Sequence, residues 1–323
     1  MCIIKTSVNF ITQPLLIVLY NRADLAKRLF DILNNIGTFQ RIYISIDGPR
    51  TPEDLLKVEK VREIAKDVDL GGEIRMRQSE ENQGCKIGVR SAIDWFFSLE
   101  NEGVILEDDC HPTSEFFEFM EEMLDRYRHD SRVAQISGSN TIGSYNVDSD
   151  YFFSNFGNIW GWGTWRRAWT NYDRDMITYR TVPYVRSNLR SKIHFVFDGI
   201  FRLKNFDDAE QGKIDTWDYQ WMYTRLVQNQ ICVIPAVSLI ENVGMGEDAT
   251  HTFQSALPLD DSLIQRLRGS TDWSAPKGPK VMLPNYRFEL AVSEYKRGWR
   301  GFGPLVMGKK FFFLVMRKIS KLK

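Results

Sequence analysis

The chain has 323 residues and lacks most of the features that fix a protein's class at a glance. It holds four cysteines, Cys2, Cys85, Cys110 and Cys232, far apart and with no C-x-x-C pair. That spacing excludes a zinc ribbon and argues against a disulfide framework; a chain of this length builds its core without one, and a reducing compartment fits. Net charge is absent too, because 42 Lys plus Arg balance 42 Asp plus Glu. No overall field favours nucleic acid, and no nucleic-acid partner is expected. No apolar run is long enough to span a bilayer. The opening "MCIIKTSVNFITQPLLIVLY" is interrupted by polar residues and followed by no small-residue cleavage site, so neither a signal peptide nor a transmembrane helix is read there. A cytoplasmic location is expected. There is no internal repeat and no low-complexity linker.

What is present is an ordinary globular balance, 43% hydrophobic and 26% charged, with nine Trp, several of them crowded together. Residues 15–20, "LLIVLY", form a continuous apolar run, as in a strand buried on both faces. The spacing of Leu25, Leu29, Ile32, Leu33 and Ile36 predicts a helix ending at Gly37. Strands follow at "RIYISI", "GEIRMRQS", "GVILEDDC" and "RVAQISGS", with helices between them over "PEDLLKVEKVREIAKDV", "KIGVRSAIDWFFSLE" and "TSEFFEFMEEMLDRYR". This alternation predicts an α/β fold with a mostly parallel sheet covered on both faces, whose ligands bind outside the carboxyl ends of the strands. Beyond residue 140 the alternation breaks. A helix is expected over "TWDYQWMYTRLVQNQ" and a strand over "ICVIPAVSLIENVG", while 255–300 is weakly patterned. The expected division is 1–140 as a nucleotide-binding half, 141–300 as an acceptor-binding and catalytic half of the same domain, and 301–323 as a basic-apolar tail.

The end of one strand is unusual: "VIL" is followed at once by Glu107, Asp108 and Asp109. Three carboxylates converging where the chain turns repel one another, and a divalent cation removes the conflict. Mg²⁺ and Mn²⁺ favour carboxylate and phosphate oxygens and often take only one or two protein ligands. The plain alternative is a solvated strand end beside a helix N-terminus, which itself welcomes acid.

"VILEDDCHPTSEFFEFMEEML" resembles the metal-binding segment of GT-A (Rossmann-like) glycosyltransferases, most closely the N-acetylglucosaminyltransferase I type and related bacterial sugar transferases. "PLLIVLYNRADLAKRLFDIL", "IYISIDGP" and "ENQGCKIGVRSAIDWFF" are similar to that family's neighbouring segments, and the resemblance spans about residues 14–250, strongest in the first 140. It implies Asn21 and Arg22 near the nucleotide, Asp47 on the uracil, Glu107 and Asp108 on the ribose and donor sugar, and Asp109 as the ligand of a metal, Mn²⁺ or Mg²⁺. A late His is often added to the metal or diphosphate in such enzymes, which makes His251 a candidate; a lone His is otherwise a surface residue.

In "GNIWGWGTWRRAW" the indoles of Trp160 and Trp162 offer flat faces on which a sugar stacks, or else they pack the sheet against the second half. "KIDTWDYQWM" holds Asp218, the candidate general base toward an acceptor hydroxyl, with Asp215 as runner-up. The resembled family places its base in a W-D-x-W-like setting, from which this chain departs by one extra residue. Either Asp also suits a helix N-cap. The tail over 309–323 mixes Lys and Arg with Phe and Leu, which suits peripheral contact with the inner face of an anionic membrane or, equally, a packed terminal helix.

These readings combine into a metal-dependent, inverting transfer of a sugar, GlcNAc or another hexose, from a UDP-sugar to a glycan or glycoconjugate in polysaccharide biosynthesis. Two alternatives stay open: a sugar-1-phosphate nucleotidyltransferase, against which stands the absence of a Gly-rich, Lys- or Arg-bearing loop in "YNRADL", and a non-catalytic glycan-binding module.

Overall fold

A computed structural model of the protein describes residues 10–193, 196–244 and 261–299. The chain opens with a short strand β1 (Phe10–Ile11), then β2 (Leu15–Leu19), α1 (Ala23–Ile36), β3 (Thr38–Phe39), β4 (Arg41–Ile46), α2 (Pro52–Asp67) and β5 (Glu73–Gln78). A π-helical turn, Cys85–Val89, leads into α3 (Arg90–Leu99), followed by β6 (Glu102–Glu107), β7 (Cys110–Pro112), α4 (Ser114–Arg126) and β8 (Val133–Ser137). The later part adds β9 (Tyr151–Ser154), β10 (Trp162–Trp165), α5 (Arg166–Trp169), α6 (Ile177–Thr181), α7 (Pro183–Lys192), α8 (Val196–Glu210) and α9 (Asp218–Val227). It closes with β11 (Ile231–Pro235), β12 (Ile240–Asn242), α10 (Asp261–Gly269) and α11 (Tyr286–Trp299).

Local chemistry sets many of these bounds. The Thr51 hydroxyl accepts from the Asp54 N–H at the start of α2, where Pro52 needs no donor and Glu53 and Asp54 face the positive end of the helix dipole. At the end of α1 the Gly37 N–H donates to the Leu33 carbonyl.

Eight strands form one sheet in the order β5-β4-β2-β6-β10-β8-β11-β9. The pairs β5/β4, β4/β2, β2/β6 and β8/β11 are parallel, while β6/β10, β10/β8 and β11/β9 are antiparallel. Six strands therefore share one direction, and β10 and β9 oppose it. The fold is α/β with a mostly parallel central sheet flanked by helices. β9, β10 and β11, all from beyond residue 140, extend the sheet begun by the first half.

The period of two in the strands sorts the core onto two faces. Leu15, Ile17 and Leu19 of β2, Ile42, Ile44 and Ile46 of β4, and Val104 and Leu106 of β6 share one cluster with α1, α2 and α4. Leu16, Tyr43 and Ile105 belong to the other, with Ile93 and Phe96 of α3 and a set of indoles. From β2 the chain first builds outward to β4 and β5, then returns to place β6 on the other side. Strand order thus reverses between β2 and β6, and the crevice outside their carboxyl ends is where an open α/β sheet offers a ligand site.

Several expectations change. The helix expected from Lys86 begins as a π-helical turn, a local form often found at functional sites. The strand expected over 231–244 divides, because Pro235 has no N–H to extend its ladder. The chain then crosses to pair β12 with β7. The weakly patterned 255–300 contains α11, whose buried contacts are few: Phe288 and Val292, one turn apart, pack near Phe152. A polar helix with so narrow an apolar stripe leaves little periodicity to read.

Candidate active site

Register brings the polar strand ends level. Val18 of β2 is opposite Glu107 of β6, and Leu19 is opposite Ile46 of β4. The residues that follow, Tyr20-Asn21-Arg22, Asp47 and Asp108-Asp109, therefore emerge together at the crevice.

Arg22, at the start of α1, occupies the acidic end. Its Nε donates to Asp108 Oδ2 at 3.0 Å, its Nη2 donates to Asp108 Oδ1, and the same Nη2 reaches Asp109 Oδ2 at 3.1 Å. Burial works against the Arg22 charge, but Asp108 and then Asp109 more than restore it, so its pKa rises. Burial pushes Asp108 up to about 6, against the pull of Arg22. Glu107 is pushed up to about 8, by burial first and then by the charges of Asp109 and Asp108. One guanidinium thus faces three adjacent acids and does not satisfy Glu107.

Asp109 is held from the other side by β12. The Asn242 amide donates to Asp109 Oδ1 at 3.2 Å, and the backbone N–H of Val243 donates to the Asp109 carbonyl. Gly244 then passes directly over the carboxylate. A Cβ there would sit 2.2 Å from Asp109 Oδ2, so only glycine fits.

Asp47 and Asp215 clasp the segment before α3 from both ends. Asp47 accepts from the backbone N–H groups of Gly48, Gln83 and Gly84 and from the Asn82 amide, at 2.9–3.2 Å. Asp215, from the second half of the chain, accepts from the N–H groups of Cys85 and Lys86, each at 3.0 Å. Between them Gly84 has φ +74°, and a Cβ would stand 2.7 Å from Asp215 Oδ2. Asp215 does not cap α9, the helix that follows it, whose N-cap is Trp217; it meets instead the orphan donors at the start of the π-helical turn before α3. Asn21 has a similar positioning role, its amide donating to Asp54 Oδ1 at 3.0 Å.

Asp218 begins α9 and accepts from the Thr216 hydroxyl. Its charge adds, after burial and the neighbouring Asp109 and Asp108, to the rise of the Glu107 pKa. What fixes the start of α9 is aromatic packing. Trp217 stacks on Trp162, ring centres 5.6 Å apart and planes 23° apart, and Trp221 and Trp169 close the group. Trp162 is therefore corrected as a sugar platform: it is 1% exposed, and Trp217, Trp221 and Trp169 surround it. Trp160 is partly buried against the other core face.

Two residues at the site carried no sequence argument. Cys85 lies where the charges of Glu107, Asp218, Asp215 and Asp47 meet, and burial followed by these acids pushes its thiol up. Its only sequence signal was proximity to the glycine before a helix. His111 is buried with neither ring nitrogen hydrogen-bonded, and burial followed by the Arg28 charge lowers its pKa. His251 lies outside the described residues.

The donor set suits a hard cation only in part. Among the described residues no group of three or more His, Cys, Asp or Glu side chains forms a cage. Asp109, at the crevice and without a bidentate partner, suits the single carboxylate that Mg²⁺ or Mn²⁺ accepts when phosphate and water complete its shell.

No protein-family model and no curated protein matches the chain. Among solved structures it is similar to the galactosyltransferase LgtC in complex with donor and acceptor sugar analogs. Identity is 10% over 80% of this chain and 95% of that one, with a TM-score of 0.33. It is also similar to the glycosyltransferase GlyE of Streptococcus pneumoniae TIGR4, at 12% identity over 82% of this chain and 62% of that one, with a TM-score of 0.32. A third likeness is to 4-diphosphocytidyl-2C-methyl-D-erythritol synthase of Anaerococcus prevotii, at 10% identity over 67% and 99% of the two chains and a TM-score of 0.32. Likeness at this level says nothing of activity.

Proposed function

We propose that the protein is a glycosyltransferase that moves a hexose, GlcNAc or another, from a UDP-sugar to a hydroxyl of a glycan or glycoconjugate. The observation that carries the reading is the meeting of acids at the reversal of strand order: Glu107 ends β6, Asp108 and Asp109 follow it, and Arg22, between β2 and α1, pairs with both aspartates. A nucleotide diphosphate cannot approach such a cluster without a cation. Asp109 would hold that ion, Mn²⁺ or Mg²⁺, and when bound it would neutralise charge on the departing diphosphate.

Glu107 and Asp108 would accept from hydroxyls of the ribose and donor sugar. Trp160, partly exposed, is the indole left to stack on the sugar. Asp218 would take the acceptor's hydroxyl proton as its oxygen attacks the anomeric carbon opposite the leaving UDP, with inversion. Thr216, donating to Asp218, orients that carboxylate. Asp47 has its oxygens engaged by the Asn82 amide and the backbone N–H groups of Gln83 and Gly84, so its part is to hold that segment as a wall of the nucleotide crevice. Among the described residues no helix is long and apolar enough to cross a membrane. The tail over 309–323 lies outside them, and peripheral membrane contact is part of the proposal.

The test is a panel of UDP-sugars incubated with purified protein in Mn²⁺ or EDTA, read by UDP release and by transfer to glycan acceptors. UDP release that depends on Mn²⁺ and is lost in Asp109→Ala is expected. Pyrophosphate formation from a sugar phosphate and UTP would point instead to nucleotidyl transfer. Glycan binding without turnover of any donor would point to a binding module.

A further inference from the structure

Arg22 is placed where a metal ion would have to act. Its guanidinium spans two carboxylates: two donors go to Asp108, whose side chain is 4% exposed, and one goes to Asp109 Oδ2 at 3.1 Å. Asp109 Oδ1 is engaged by Asn242. Neither oxygen of the proposed ligand is therefore without a donor. A divalent ion landing on Asp109 would displace one of these donors or share an oxygen with it, and in either case would stand beside a permanent positive charge. The same guanidinium, on the residue just before α1, suits a diphosphate as well as it suits carboxylates, because its planar fork matches both.

We propose that Arg22 is a built-in counter-cation that competes with the metal for Asp109 and leaves only when a diphosphate offers it a second anionic partner. This positioning role rests on the metal-site reading above. Metal alone binds poorly, because it must be accommodated against Arg22. Metal and nucleotide diphosphate bind together, because the diphosphate takes Arg22 while Asp109 takes the ion. The exchange adds little net charge, because the divalent ion arrives with a diphosphate of opposite sign while the acids and the guanidinium stay at the site. Order of binding then becomes a property of one side chain.

The experiment is Mn²⁺ binding to the full-length protein, measured by electron paramagnetic resonance and calorimetry with and without saturating UDP. Arg22→Met keeps the length of the stem and removes the charge. It is expected to bind Mn²⁺ alone at least tenfold more tightly than the unmodified protein and to gain less from UDP. Arg22→Lys keeps the charge and is expected to bind Mn²⁺ alone as weakly as the unmodified protein. If Arg22→Met does not fold, the ¹⁵Nε signal of Arg22, assigned by its loss in Arg22→Lys, decides: it is expected to shift when Mg²⁺ and UDP are added together and to stay in place with Mg²⁺ alone. Equal or weaker Mn²⁺ binding by a folded Arg22→Met, or an Arg22 signal unmoved by Mg²⁺ and UDP that demonstrably bind, overturns the competition and leaves the metal site standing. Absence of any Mn²⁺–UDP binding sensitive to Asp109→Ala overturns both.

Discussion

Asp218 and Asp215 are three residues apart in sequence and differ in what their oxygens do. Both Asp215 oxygens accept backbone N–H groups, whereas Asp218 accepts from the Thr216 hydroxyl at the start of α9. With donor and acceptor established, Asp218→Asn is expected to lower kcat by about 10²–10⁴-fold, the usual reach of a general base, with little change in donor KM. Full transfer by the variant would remove Asp218 from that role. The indoles separate in the same way. Trp162→Ala empties part of a closed aromatic cluster and is expected to cost about 3–5 kcal/mol of stability, read as a lower midpoint in urea. Trp160→Ala is expected to cost less stability and to raise the donor KM, and a stability loss as large as that of Trp162→Ala would place it in the core. Both indoles sit in one glycine-rich stretch; their different burial was not legible there, because β10 starts between them and only sheet pairing decides which one turns inward.

At the level of elements, Asp215 ties the π-helical turn to the second half of the chain, while α3 is also joined to it through Asp94, which accepts from the Trp169 indole, and through the shared aromatic cluster. Asp215→Ala removes the acceptor of two N–H groups and is expected to cost about 1 kcal/mol, the usual value of a helix cap. Gly84→Ala is expected to cost more, since it adds an unfavourable left-handed φ to a Cβ pressed against the same carboxylate. Thermal melting of the two variants checks the order, and a Gly84→Ala protein as stable as the unmodified one would refute the clasp. The β7–β12 ribbon is the other element the sequence concealed. "SLIENVG" reads as the end of a strand, but its partner "CHP" lies far earlier in the chain, with Asn242 opposite Cys110. That pairing is what brings Asn242 and Gly244 onto Asp109.

Across the whole molecule, the acidic cluster should leave a pH signature. Glu107 has its pKa raised on folding, to about 8 from an ordinary 4.5. A raised carboxyl favours the folded state below the unfolded value, and that contribution is lost as pH climbs from about 4.5 through 8. In EDTA, the melting temperature of the unmodified protein relative to Glu107→Gln is therefore expected to fall between pH 5 and pH 8.5. A difference that stays constant over that range would show Glu107 to be ordinarily ionised. Mn²⁺ with UDP is expected to narrow the difference at high pH, because added positive charge favours the ionised carboxyl.

The sequence by itself determined the parallel core of the sheet, the helices on its faces and the placing of the acidic triplet at a strand end. Those follow from local periodicity, since runs such as "LLIVLY" and "GVIL" have one low-energy use, a strand buried on both sides. It also supplied Arg22, Asp47, Asp109, Asp215 and Asp218 as residues of interest. Only the tertiary structure decided what each touches. Whether Asp47 faces a ligand or a loop, whether Trp162 lies inside or at the crevice, and which cation answers the triplet depend on segments up to 133 positions apart coming together, as Asp109 and Asn242 do. Hydrogen bonds and charge interactions act over a few ångströms of space, and no local pattern encodes a partner so far along the chain.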